Sequence, residues 1–182
     1  MTATPNPVTT WNIDPAHSAA EFKVKHMMIS NVKGKFSGLS GVLHLDEADP
    51  ARSTVEAEVP VATLSTGDDQ RDTHLKSADF FDAEKLHTIA FKSLAVHPIA
   101  PGECSVTGEL TMHGVTRVVT FAVEGPSAPA KDPWGNLRIG LSASARINRK
   151  DFGLTWNAAL EAGGVLVGED VTITLDVQFI KA

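Results

Sequence analysis

A chain of 182 residues with 42% apolar and 21% charged residues has room for one domain built around a real core. Its formal net charge of −6 argues against nucleic acid or an anionic membrane as the main partner, because phosphate binding needs clustered Lys and Arg; a local basic site stays open. The single cysteine, Cys104, cannot close an internal disulfide, which suits a reducing compartment.

Residues 1–10 are rich in Thr and Pro and read as a disordered tail, with one domain from 11 to 182. The opening MTATPNPVTTW has no cationic stretch followed by an apolar run, and no segment reaches roughly 18 consecutive apolar residues. Neither a signal peptide nor a transmembrane helix is predicted, and a cytoplasmic location is expected. Strands are predicted near 11–13, 19–27, 32–45, 53–64, 88–97, 103–113, 116–125, 137–149 and 165–180. Glycines at 34, 38 and 41 in the third of these predict bends or bulges.

The strand reading rests on period-two alternation. In Val171–Phe179 the residues Val171, Ile173, Leu175, Val177 and Phe179 alternate with Thr172, Thr174, Asp176 and Gln178. Leu137–Ile147, Val55–Val61, Val106–Met112 and Val119–Val123 repeat the pattern. Each has one dry and one wet face. So many half-buried strands predict an all-β antiparallel sheet that closes on itself, and a barrel of about eight strands can hold one small ligand.

One region, near 67–86, reads as a short helical segment. Ser65 or Thr66 is the expected cap, Asp68 and Asp69 favour the helix start, and Ser77 or Asp79 opens a second turn through Phe80 and Phe81. This stretch is either a lid, with Arg71, His74 or Lys76 meeting a polar headgroup, or a plug whose aromatics cover a barrel end. The seven histidines show no metal-ligand spacing, so no metal is expected. His26 shares a strand face with Ala20, Phe22 and Val24, which makes it an inward polar group. There is no GxSxG elbow, GxGxxG or P-loop string, and nothing around Cys104 marks a nucleophile. No catalytic residue is assigned.

Six strings in order carry a resemblance: WNIDPAHSAAEFKVKHMMISNVKGKFSGLSG (11–41), LSTGDDQRDTHLKSADFFDAEKLHTIAFKS (64–93), GELTMHGVTRVVTF (108–121), DPWGNLRIG (132–140), INRKDFGL (147–154) and VGEDVTI (167–173). Together they resemble the YceI-like family of polyisoprenoid-binding proteins over about 11–181. Departures fall at Leu86–His87 and Arg117–Val118, where strands begin, and the family's frequent periplasmic export signal is not legible here. The resemblance implies an extended, lipocalin-like antiparallel barrel enclosing a long amphiphile of polyprenyl or quinone type, no cofactor, and a possible homodimer. On this reading the ligand is lined by Phe22, Val24, Met28, Phe36, Leu64, Leu75, Phe80, Phe81, Ile89, Phe91, Leu110, Met112 and Trp156. Arg71, His74, His26 or Arg149 would meet its oxygens. Two other readings stand beside it. One is an enzyme acting on a lipid or small carbonyl compound, with His26 or His74 as acid/base and a second titratable group in the same cavity. The other is a filled barrel acting only through its surface.

Overall fold

The computed structural model describes residues 7–182. Its strands are β1 (Thr9–Ile13), β2 (Ala19–His26), β3 (Ser30–Phe36), β4 (Ser40–Leu45), β5 (Thr54–Pro60), β6 (Thr88–Ala100), β7 (Glu103–Met112), β8 (Val115–Glu124), β9 (Ala130–Lys131), β10 (Leu137–Asn148) and β11 (Val167–Lys181), with one helix, α1 (Asp69–Lys76). They form a closed eight-stranded antiparallel barrel. Two of the staves are broken in sequence. β1 and β2 both pair with β11, Ile13 opposite Phe179 and Ala19 opposite Asp176, so they are one stave interrupted at Asp14–Ser18. β3 and β4 form the next stave, pairing with β2 and β1 respectively.

The strand predicted over 32–45 is therefore two strands, parted at Ser37–Leu39, where Gly38 has φ +72°. Gly34 plays another part. The Phe22 ring, its cross-strand partner, lies in the space a Cβ would need, as the Phe91 ring does at Gly108. The predicted tail also divides: residues 1–6 lie outside the described residues, whereas Thr9 and Thr10 belong to β1. Pairing with β4, and donation from Ala182 N–H to Thr10 O, hold them in the sheet. The strand predicted over 53–64 stops at Pro60 and continues as a single 3-10 turn.

Closure is made by β10 and β11, paired from Arg138–Ile180 to Asn148–Asp170. Their alternating residues fall as the pattern requires, with Ile139, Ala143, Ala145, Ile147, Val177 and Phe179 all buried; Leu137, expected on the dry face, is exposed at the strand's end. Two groups of side chains face each other, one built on β7, β8 and β10, the other on β1 to β5 and β11.

Outside this seam a polar clasp crosses three strands. Arg138 Nη1 donates to Asp14 Oδ2 at 2.7 Å and its Nε donates to Asp132 Oδ2 at 2.8 Å. The clasp ties the β1–β2 interruption to the β9–β10 turn. The Arg138 guanidinium holds both carboxyls at about 2, below the ordinary 3.8, with His17 also lowering Asp14. Depressed carboxyl values stabilise the fold above the unfolded pKa, and that contribution is lost as pH falls through the folded value. The Asp14→Asn/Asp132→Asn variant should thus unfold at lower urea than wild type at neutral pH, and the difference should close as the pH approaches 2. Urea midpoints across that pH range measure it.

Candidate functional site

A cavity of about 620 Å³ runs through the barrel. Every stave contributes to its wall, including Phe22 and Val24 from β2, Phe36 from β3, Leu43 from β4, Val59 from β5, Phe91 from β6, Leu110 from β7, Phe121 from β8, Ala143 from β10 and Leu175 from β11. The middle of the wall is apolar. Aromatic rings order it through edge contacts, Phe91 on Phe121 at 5.1 Å and Phe36 on Phe81 at 5.8 Å between centroids.

The two ends differ. At one, the lining comes from exposed residues at strand ends and turns: Glu47 and Pro50 after β4, Pro101 between β6 and β7, Glu103 at the start of β7, and Pro126 to Pro129 after β8. This end is open and acidic. Cys104 lies just inside it, and burial raises its thiol above the ordinary value, which disfavours the nucleophilic thiolate.

The other end is closed by the segment around α1 and by the connection from β10 to β11. α1 is too short and too polar to stand alone. Asp68, not Ser65 or Thr66, caps it, accepting from Arg71 N–H at 2.9 Å. Thr66 instead donates its N–H and hydroxyl to Asp72 at 2.8 and 2.6 Å. Downstream, Phe81 N–H donates to Leu75 O and Phe80 N–H to Ser77 O, which turns both rings back toward the barrel. Phe80 is buried, and Leu75, Phe80 and Phe81 all line the cavity.

Beside them sits Arg149, a buried cation that has no carboxylate within ion-pair distance among the described residues. Four carbonyls surround it. Nε donates to Gly168 O (2.7 Å), Nη1 to Leu154 O (2.7 Å) and Trp156 O (2.9 Å), and Nη2 to Val167 O (3.3 Å). Desolvation lowers its pKa, and Glu169 acts the other way. A guanidinium carries five N–H donors, so one is left beyond these four. Arg149 thus holds the closing loop in place and sets positive charge at the inner end of an apolar cavity.

The structure brings Phe22, Val24, Phe36, Leu75, Phe80, Phe81, Ile89, Phe91, Leu110, Met112 and Arg149 together on one wall. Six expected residues lie off it. His26 closes β2 opposite Ser30, at the base of a hairpin turn. Met28 sits in that turn, 61% exposed. Leu64 is buried in the packing beneath the 3-10 turn instead of facing the void. Arg71 bends back to Thr66, donating to its hydroxyl and carbonyl. His74 pairs with Asp79 at 2.9 Å and packs edge-on to Trp156, whose indole covers Phe80 from outside. Lys76, weighed as a headgroup contact, does not reach the cavity either. Short-range hydrogen bonding satisfies Arg71 and His74 locally, so they do not point inward.

Wall positions not singled out from sequence include Ile13, Leu43, Phe121, Val123, Leu141, Ala143 and the Val171–Phe179 face. Alternation already marked most of them as inward; what it lacked was which inward residues meet across the barrel. The described residues contain no cluster of His, Cys, Asp and Glu able to hold a metal, and no helix among them is long and apolar enough to cross a membrane.

Residues 11–179 match the family model of the YceI-like domain. The chain belongs to the YceI-like family. A UPF0312 protein of Staphylococcus aureus is 35% identical over 172 residues, 94% of this chain and 98% of that relative. Among solved structures, a YCEI protein of Campylobacter jejuni is 30% identical with a TM-score of 0.71, covering 87% of this chain and 90% of its own. BcnA of Burkholderia cenocepacia reaches a TM-score of 0.77 at 23% identity, over 91% and 98%. A polyisoprenoid binding domain from Saccharophagus degradans, implicated in plant cell wall breakdown, gives 0.67 at 16% identity, over 96% and 99%. The last two share the fold of this YceI-like chain.

Arg149→Met should destabilise this YceI-like barrel by about 3 kcal/mol or more, because four carbonyls lose a charged donor at once. A lower urea midpoint at an unchanged m-value would register the loss.

Proposed function

We propose that this YceI-like barrel binds, stores or carries a long-chain amphiphilic lipid of the isoprenoid class. The observation that carries the reading is the cavity itself: apolar through its middle, open at an acidic end and closed by Leu75, Phe80 and Phe81 at the other. Each Å² of prenyl surface taken from water contributes roughly 25 cal/mol, so a dry channel supplies affinity without many polar contacts. Family membership and the fold shared with the Saccharophagus degradans polyisoprenoid binding domain support it. Arg149 suits a phosphate or quinone oxygen brought to the inner end.

The geometry favours binding over turnover. The enzyme reading asks for a histidine and a second titratable group on the cavity wall. His74 and Asp79 are within 2.9 Å of each other, yet both lie outside the cavity, and His26 lies outside it too. The filled-barrel reading asks for an interior without a void, and this one has about 620 Å³.

Native mass spectrometry of protein from its own host, followed by organic extraction, should yield a prenyl lipid and reads subunit number in the same spectrum. Affinity should rise along a ladder of prenyl chain lengths, and a flat ladder would overturn the proposal. Ala143, between Val123 and Leu175 on the inner wall, offers the cleanest block. Ala143→Phe should lower long-chain affinity by about tenfold or more by occupying ligand space, while Asp176→Ala, on the outer face, leaves it unchanged. Isothermal titration at matched folded fraction separates the two.

A further inference from the structure

The hairpin joining β2 to β3 ends in three apolar residues that the barrel does not use. Met27, Met28 and Ile29 are 42%, 61% and 79% exposed. Ile29 N–H donates to His26 O at 3.1 Å, and the two central residues, Met27 and Met28, have φ +50° and +61°. Asn-Gly fits this I′ geometry easily, whereas two methionines carry steric strain in it. The tip is continuous with a fourth exposed apolar residue, Val165. Met27 N–H donates to Leu166 O at 2.7 Å, and the Met28 thioether lies over Gly164.

Behind the tip, the outward face of the hairpin carries Lys23, Lys25, Lys33 and Lys35, all exposed. Lys23 stands directly opposite Lys33, an arrangement that disfavours the pairing. The lysine ion pairs among the described residues are Lys92–Glu56 and Lys150–Glu169, so these four have no carboxylate partner there. The acids near this surface are Glu21, opposite Lys35, Glu161 in the adjoining loop, and Glu169 and Asp170 in the β11 bulge beside Lys25, which pair with Lys150 and Arg146. The chain's net charge is −6, so this basic face is a local exception.

We propose that this hairpin docks the protein on an anionic lipid surface, with Met27, Met28 and Ile29 entering the interface and the lysines meeting headgroup phosphates. An apolar tip with cations set back along its stem is the arrangement that combines acyl-chain burial with attraction to a negative leaflet. Lysines on an exposed edge strand also discourage strand addition, which accounts for Lys33 and Lys35 alone. Edge protection gives no reason for exposed methionines at strained turn positions. The tip stands at the barrel end closed by residues 66–87, so docking sets that closure, not the open end, against the bilayer.

Co-sedimentation with vesicles tests this directly. The protein should pellet with vesicles of phosphatidylcholine mixed with phosphatidylglycerol, stay in solution with phosphatidylcholine alone, and release as salt rises. Met27→Asn/Met28→Gly keeps the turn in its relaxed form, so its Tm should match or exceed wild type while vesicle binding falls about tenfold. Lys23→Gln/Lys33→Gln should remove most of the salt dependence. Wild type left in solution with mixed vesicles, or vesicle binding unchanged in the Asn-Gly variant, would overturn the docking role. Lipid retention read by native mass spectrometry on the same variants reports on the cavity separately, so the two proposals fail independently.

Discussion

The pairing of β11 is the constraint on which this structure depends. Its fifteen residues reach about 50 Å in extended form, enough to run the full height of the barrel. One edge is taken by β10, and the other by β2 and then β1. With both of its edges occupied β11 has no free side, and every inward residue of Val171–Phe179 is committed to the interior. A one-residue slip would send Val177 and Phe179 to the surface and Asp176 and Gln178 inside, so the register is enforced by burial as much as by hydrogen bonds. The clasp from Arg138 to Asp14 and Asp132 lies across this same seam and locks it from the outside.

Closure leaves a cavity instead of a solid core because of the residues chosen for the wall. Ala20, Ala57 and Ala143 project little into the interior, and the large rings lie flat across glycines or edge-on to one another. Phe22 over Gly34 and Phe91 over Gly108 thicken the wall without crossing the lumen. The interior therefore gains its hydrophobic burial along the walls while space stays free between them, an arrangement suited to a flexible apolar ligand and costly to keep if nothing binds.

The two barrel ends have separate chemistry. The open end is acidic and built of proline-rich turns. The closed end concentrates aromatic cover, the buried Arg149 and the hairpin tip of Met27, Met28 and Ile29. That end is held by local bonds: Asp68 on α1, Thr66 on Asp72, Arg71 on Thr66, and the four carbonyls on Arg149. Through Val167 and Gly168 the Arg149 bonds also fasten this closure to the start of β11.

Much of this protein was legible in its sequence. Period-two alternation in Val171–Phe179 and Leu137–Ile147 identified half-buried strands and their inward faces, because strand side chains alternate whatever the tertiary setting. Leu110 followed from the same rule and Phe22 from the strand face it shares with Val24, whereas Phe81 was marked by the helical segment and Phe36 and Phe91 by the family resemblance. Tertiary structure decided where the polar residues went. Arg71 and His74 share segments with wall residues, but bonds to Thr66 and Asp79 satisfy them locally, and His26 ends β2 at the base of the hairpin. Arg149 differs because the carbonyls of Leu154 and Trp156 in the following loop and of Val167 and Gly168 at the start of β11 converge on it, and only the folded chain brings the two pairs together. The split at Ser37–Leu39, the wall role of Ala143 and the exposure of Met28 were settled the same way. Sequence periodicity fixes which face a side chain takes, while the closed register determines what it meets.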